Sequence, residues 1–371
     1  MRRSVGVLVA TLVLGGTTFA VAQAQPDCRW VSDPGTTPDA TLFGVVTSDS
    51  SEDVWAVGSS TNSRGRERTL VRHWDGSQWE TQPSPNARRQ SNRLNDVAIA
   101  PDGSLWAVGT RSRRTLKIVV QRYDGTAWRM RRSLNPSDEL NVLDGIDVAP
   151  SGVVYAAGSR WNAQRQYRMM IQRYDGAWEL VPNRMAGRLL DVDVVSDTDV
   201  WAVGTKTAGR QSHMVALHYD GTSWTETPMP DLGGTFSILN GVSAAAPDDV
   251  WAAGSYILSG GESRPVIVHY DGTEWSVADL PSPAEELELL DVAAVGPFAV
   301  AVGQNHDFDF GEDTRVVLEW DGSSWAAAEQ DDELQGNDLL ATDVAADGRG
   351  WAVGYHSTRP QTDYIERRTC G

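Results

Sequence analysis

Leu105-Trp106-Ala107-Val108-Gly109, followed by Tyr123-Asp124-Gly125-Thr126-Ala127-Trp128, decides the fold because both elements return along almost the whole chain. The first comes back as Asp53-Val54-Trp55-Ala56-Val57-Gly58 and Val154-Tyr155-Ala156-Ala157-Gly158. It also stands at 199–204, 249–254, 299–303 and 350–354, making seven copies. The second, an aromatic residue, Asp-Gly and then Trp, runs from Trp74 to Trp79, Tyr174 to Trp178, Tyr219 to Trp224, Tyr270 to Trp275 and Trp320 to Trp325. A third element precedes the first, as in Leu94-Asn95-Asp96-Val97 or Leu189-Leu190-Asp191-Val192. Self-similarity at a fixed period of about 49 residues is the mark of a repeat architecture.

Each period supplies four short strands. Leu-x-Asp-Val makes strand A, Trp-Ala-Val-Gly strand B, an apolar alternation such as Ile118 to Tyr123 strand C, and the segment carrying the next Trp strand D. Asp-Gly between C and D predicts a two-residue hairpin with positive φ angles. Proline after strand D, as at Pro83, Pro136, Pro182, Pro228 and Pro281, usually ends the period. Four antiparallel strands per repeat, seven times over, predict an all-β, seven-bladed β-propeller. A linear solenoid would need polar capping repeats at its ends, and the sequence has none.

The termini predict how the ring closes. The seventh repeat has strands A, B and C but stops at Arg368-Thr369-Cys370-Gly371, where the others have Asp-Gly. The missing Trp strand stands at the other end, in Cys28-Arg29-Trp30. The N-terminal strand is therefore expected to complete the last blade, with a Cys28–Cys370 disulfide across the join.

Residues 1–24 read as a signal peptide: Arg2-Arg3, an apolar run from Val5 to Val21, and Ala22-Gln23-Ala24 at the cleavage position. The expected mature chain, 25–371, is one propeller, secreted or periplasmic, with no later segment apolar enough to span a bilayer. Two cysteines in an exported chain fit a disulfide better than metal or redox chemistry. A net charge of −18 argues against nucleic acid and anionic membranes. The charge is strongly asymmetric: residues 60–190 hold 21 Lys and Arg against 12 acids, and residues 191–371 hold 8 against 32.

The layout resembles the kelch-type propeller repeat, also found in the central domain of galactose oxidase. The match lies in Trp106-Ala107-Val108-Gly109 and Tyr123 to Trp128 and their copies, and it spans the mature chain. The departures are one Gly where that family has two, and a shorter Tyr-to-Trp connection. The resemblance implies the fold and carries over no active site. Galactose oxidase-type copper chemistry needs a Cys–Tyr crosslink, and both cysteines here are placed at the join. His73, His218 and His269 share one repeat position and read as structural; His213, His306 and His356 have no metal-ligand spacing.

Residues on the repeat register read as packing, and those off it as candidates for function. Fourteen of the fifteen tryptophans are on register, and the Asp-Gly aspartates read as turn-formers. Antiparallel connectivity puts the long B–C and D–A loops on one face, where binding residues are expected to collect. The candidate ligand-binding residues there are Trp161, Arg111, Arg113, Arg114, Arg131, Arg160, Arg165, Tyr256 and Tyr355. Arginine pairs carboxylates and phosphates through two N–H groups, so a basic arc over blades 1–3 suits an acidic glycan or peptide. Asp307, Asp309 and Asp313 alternate around Gly311 as calcium ligands do, which makes calcium the one cofactor the sequence suggests. The expected function is a monomeric, non-enzymatic binding or scaffold propeller for a glycan or protein partner. The alternative is a carbohydrate-active hydrolase or lyase on the same scaffold.

Overall fold

A computed structural model describes residues 28–33, 37–48, 52–281, 287–305, 314–330, 336–357 and 359–370. The expected signal peptide and the calcium candidates Asp307, Asp309 and Asp313 lie outside the described residues.

The described chain is all-β, with 28 strands and no helix. Five sheets have four strands each, and an eight-stranded sheet consists of two such units joined by a single parallel bridge, Ser212 to Phe236. Each of the seven sequence repeats thus folds as one antiparallel four-stranded unit. Repeat 7 takes its outer strand from the N-terminus: Cys28–Ser32 pairs with Thr362–Cys370, with Cys28 opposite Cys370. The disulfide between them is present. Apolar clusters lie between neighbouring repeats, including one that joins Leu42, Val54 and Trp74 of repeat 1 to Trp351, Val353 and Ile365 of repeat 7. This is the architecture of a β-propeller.

The on-register tryptophans are core. Trp55, Trp106, Trp201, Trp251 and Trp351 are buried, and each packs on the strand-D Trp of a neighbouring repeat, as Trp106 on Trp178 and Trp201 on Trp275. Trp79, Trp178 and Trp224 are half-buried against the same clusters.

The Asp-Gly turns differ from the expected two-residue hairpin. Trp74 pairs with Trp79 across four loop residues, and in repeat 3 Tyr174 pairs with Trp178 across three. Only the glycine is left-handed, as at Gly76 with φ 92°. The Asp75 carboxylate accepts the backbone N–H groups of Ser77 and Gln78, so the side chain organises the loop as an Asx turn. The Ser77 hydroxyl, which also donates to Asp75, and those N–H groups hold the Asp75 carboxyl below its ordinary pKa, and the corresponding groups do the same for Asp220, Asp271 and Asp321.

Candidate ligand-binding face and central channel

The hairpin of Leu105–Ser112 and Leu116–Tyr123 in repeat 2 carries the densest positive charge. On one side is a cavity of about 410 Å³ lined by Gln90, Arg111, Arg113, Arg114 and Lys117. On the other is one of about 480 Å³, where Arg113 and Arg114 meet Glu139, Trp161 and Arg165 of repeat 3. Arg111 stands directly opposite Lys117, and Arg160 directly opposite Arg168. Like charges facing one another across a strand pair destabilise a sheet, so the fold alone gives no reason for them.

Pairing separates the two faces of the sheet units. Arginines beside the short turns have carboxylates: Arg122 with Asp102 at 2.9 Å, Arg129 with Asp124 at 2.8 Å and Arg173 with Asp175 at 3.0 Å. Among the described residues no carboxylate pairs with Arg111, Arg113, Arg114, Arg131 or Arg160. Among the candidate arginines Arg165 is the exception, bound to Glu139 at 2.8 Å.

Trp161 is not an open platform. The Arg165 guanidinium lies 5.9 Å from its ring centroid, and Tyr167 meets it edge-on at 6.1 Å. Tyr167 in turn carries Arg188 at 5.4 Å. These rings hold guanidinium groups in place, each contact contributing about 0.5–1 kcal/mol at an exposed site. The structure brings Arg111, Arg113, Arg114, Trp161 and Arg165 together around one hairpin, with Arg160 on the adjoining strand of repeat 3. Arg131 lies on the outer strand Trp128–Arg131, outside both cavities. Tyr256 lines a separate cavity of about 660 Å³ with Arg264 and Arg315. Tyr355 belongs to repeat 7, opposite Asp338 and Asp363.

The feature that sequence reasoning missed is the central channel, a cavity of about 250 Å³ lined by the innermost strands of all seven repeats. Two positions of the innermost strands supply acceptors that cross to the next repeat. Asp96 accepts the N–H of Ile146 at 2.8 Å, Asp191 that of Val242 at 2.9 Å and Asp291 that of Thr342 at 2.8 Å. Two residues further on, Asp147 accepts from Val194, Ser243 from Ala294, and Asp343 of repeat 7 from Thr47 of repeat 1. Asp193 bonds the N–H of Ala244 in the same way. Where repeats 2, 4 and 6 have this Asp, repeats 1, 3 and 5 have Gly44, Gly145 and Gly241. A Cβ on Gly145 would lie 2.6 Å from Asp191 Oδ1 and 2.7 Å from its Cα. The alternation of Gly and Asp is a packing rule between neighbours.

Burial raises all these carboxyl groups above their ordinary pKa: Asp147 to about 7, with Asp191 and Asp343 adding to the effect, and Asp191 to about 6. Asp343 is raised to about 6 by burial. One channel aspartate takes no part in the cross-links. Asp144 accepts no backbone N–H; Asn95 Nδ2 is 3.4 Å from its Oδ1, and its Oδ2 is buried without a hydrogen-bond partner. Burial raises Asp144 to about 6 against the opposing pull of Arg188 and Arg93.

The histidines that share a repeat position are structural. His73, His218 and His269 stack on Trp55, Trp201 and Trp251 at 4.0–4.1 Å. Each also bonds an aspartate beside that Trp at 2.7–2.8 Å: Asp53, Asp199 and Asp249. Among the described residues no group of three His, Cys, Asp or Glu is arranged to hold a metal ion. No helix among them is long and apolar enough to cross a membrane.

No protein-family model matches the chain, and no curated protein matches it in sequence. Solved structures do match in fold. U3-55K superposes with a TM-score of 0.60 at 9% identity, over 92% of this chain and 98% of that one. YCF48 bound to a D1 peptide gives 0.55 at 13%, over 92% and 97%. An ulvan lyase of polysaccharide lyase family 25, bound to a glucuronate–sulfated rhamnose fragment, gives 0.58 at 9%, over 90% and 95%. The GH74 xyloglucanase of Xanthomonas campestris gives 0.56 at 12%, over 91% of this chain and 55% of its own. The shared fold is the β-propeller.

Proposed function

We propose that the chain is an exported, seven-bladed, kelch-like propeller, closed into a ring by its N-terminal strand, that binds an anionic polysaccharide through the long-loop face of repeats 1–3. The observation that carries this reading is the set of cations on that face with no carboxylate partner among the described residues, including the like-charged cross-strand neighbours Arg111/Lys117 and Arg160/Arg168. Such an arrangement lowers stability in the free protein and becomes favourable when carboxylate or sulfate groups lie between the cations. The band crosses several repeats, which suits a polymer with regularly spaced charges. Arg113 and Arg114 belong to both cavities, so they form the ridge over which such a chain lies. Among propeller neighbours, one is bound to a uronate-containing glycan and another to a peptide, which fits a scaffold that presents ligands on a loop face.

The test is a binding panel of uronate-rich, sulfated and neutral polysaccharides with an acidic polypeptide, each at 50 and 300 mM salt. Binding of the acidic glycans that weakens steeply with salt supports the reading. Preference for the neutral glycans, or binding indifferent to salt, overturns it; preference for the polypeptide moves the ligand class to protein.

A second reading is a glycan-cleaving enzyme, favoured by Asp144. Its carboxyl, raised to about 6 beside Arg93 and Arg188, falls in the range of a general acid at neutral pH. Turnover of the same panel, lost in Asp144→Asn, would select it.

A further inference from the structure

We propose that Arg165 is a specificity-determining residue of the binding face, kept in a strained backbone position so that its guanidinium takes the carboxylate of a uronate unit. Glu139 holds that place in the free protein. The inference deepens the proposed polysaccharide binding and rests on that reading.

One turn recurs six times among the described residues, at 62–66, 100–104, 149–153, 162–166, 258–262 and 345–349. In each, the N–H of the first residue donates to the carbonyl of the fifth, and the N–H of the fourth donates to the carbonyl of the first. This is the three-residue hairpin loop, whose last loop residue is left-handed and is preferably glycine. Five of the turns have it, as Gly65, Gly103, Gly152, Gly261 and Gly348, with φ between 67° and 93°. The sixth has Arg165, at φ 58°. A Cβ in that region crowds the backbone, a strain that glycine avoids. Repeat 1 shows the same turn without the strain. Asn62 Oδ1 accepts the N–H groups of Arg64 and Arg66, just as Asn162 Oδ1 accepts those of Gln164 and Gln166, but the left-handed residue is Gly65.

Packing does not explain the arginine. Its side chain is exposed, and surface contacts of the kind it makes with Glu139 and Trp161 contribute little to stability. What the position supplies is aim. Nε stands 2.8 Å from Glu139 Oε2 and Nη2 2.9 Å from Oε1, while the guanidinium lies 5.9 Å from the Trp161 ring centroid. The fork is thus presented to a planar carboxylate, at the cavity of about 480 Å³ that Arg165 shares with Arg113 and Arg114. Glu139 is the chain's own example of the group that fits. Being half-exposed, it can swing away, and it serves one guanidinium. A polyuronate brings one carboxylate to Arg165 and further ones to Arg113 and Arg114. Exchanging Glu139 for a ligand carboxylate keeps both hydrogen bonds at the fork and adds those contacts. A sulfate ester, tetrahedral and less basic, fills the fork less well.

The experiment titrates polygalacturonate and dextran sulfate by calorimetry, at pH 7 and 50 mM salt, into wild type, Arg165→Gly, Arg165→Lys and Glu139→Gln. Arg165→Gly matches the five sister turns, so it should fold, and it should melt about 1–3 °C above Arg165→Ala because only glycine relieves the turn. Polygalacturonate should bind about tenfold more weakly to both Arg165→Gly and Arg165→Lys, since lysine keeps the charge and loses the fork. Dextran sulfate affinity should change by less than about twofold in Arg165→Lys. Glu139→Gln, which clears the fork, should bind polygalacturonate about three- to fivefold more tightly. Polygalacturonate affinity unchanged in Arg165→Gly, equal losses for both polymers in Arg165→Lys, or weaker binding by Glu139→Gln overturns the assignment. Arg165→Ala melting level with Arg165→Gly removes the strain on which it rests. Failure of wild type to bind either polymer overturns the reading of the whole face, and this assignment with it.

Discussion

Replacing Cys28 and Cys370 by serine isolates what the covalent join contributes. The two cysteines are 342 residues apart, so the bond constrains nearly the whole unfolded chain. Chain-entropy scaling gives about 6 kcal/mol for a loop of that length, as an upper figure. The strand itself does not depend on the bond. Trp30 is fully buried, its indole donates to Glu319 at 2.7 Å, and its backbone N–H reaches Glu329 at 2.9 Å. The double variant should therefore fold with its N-terminal strand in place and differ from wild type mainly through the unfolded state. With an unfolding entropy of about 2 cal/mol/K per residue over some 340 residues, the full effect is a fall of about 8 °C in melting temperature. Calorimetry under non-reducing conditions measures it, and urea titration should show a larger m-value in the variant because its unfolded chain exposes more surface. A control, Trp30→Ala with the disulfide kept, should cost about 3–5 kcal/mol by cavity formation with no change in m-value. A double variant that melts within 1 °C of wild type with an unchanged m-value would refute the reasoning.

Three further outcomes follow from the packing. Asp363 is fully buried, and its carboxylate holds Arg72 of repeat 1 at 2.8 Å; Asp363→Ala leaves a buried cation and should cost about 3–5 kcal/mol by urea titration. Gly145→Ala forces Asp191 from its bond to Val242, and should destabilise by about 1–3 kcal/mol, whereas Gly125→Ala affects a turn with open space around it and is limited to backbone strain. Folding raises the pKa of the channel carboxyls, so between about pH 4 and 7 the folded chain holds more protons than the unfolded one. Their contribution is greatest near pH 4 and is lost as pH rises through 6 to 7, so melting temperature should be higher at pH 5 than at pH 8; the reverse order would contradict the assignment.

The four-strand unit, the join and the packing tryptophans were legible because each leaves a local mark that repeats: a Trp, a turn residue or a cysteine at a fixed place in the period. The geometry of the Asp-Gly turn was not, since Asp75 acts through its side chain where the sequence suggested left-handed backbone. The channel was harder still. Asp96, Asp191 and Asp291 were visible as part of strand A, but their role depends on a residue about 50 positions away whose N–H the carboxylate accepts. The signal was available in the alternation of Gly44, Asp96, Gly145, Asp191, Gly241 and Asp291, which only makes sense once adjacent repeats touch. On the candidate face, charge density pointed to the hairpin of repeat 2 and its neighbour. It could not show that Arg165 covers the Trp161 ring, nor that Tyr256 lines a cavity with Arg264 and Arg315.

The most direct test of the binding account sets two triple variants against each other. Arg111, Arg113 and Arg114→Ala removes unpaired cations from the long-loop face, and Arg122, Arg129 and Arg173→Ala removes the same charge from arginines paired with aspartates beside the short turns. Titration calorimetry with polygalacturonate at 50 mM salt should show at least a tenfold loss of affinity in the first and little change in the second. Equal losses in both, or none in the first, would mean that net charge and not this face governs binding.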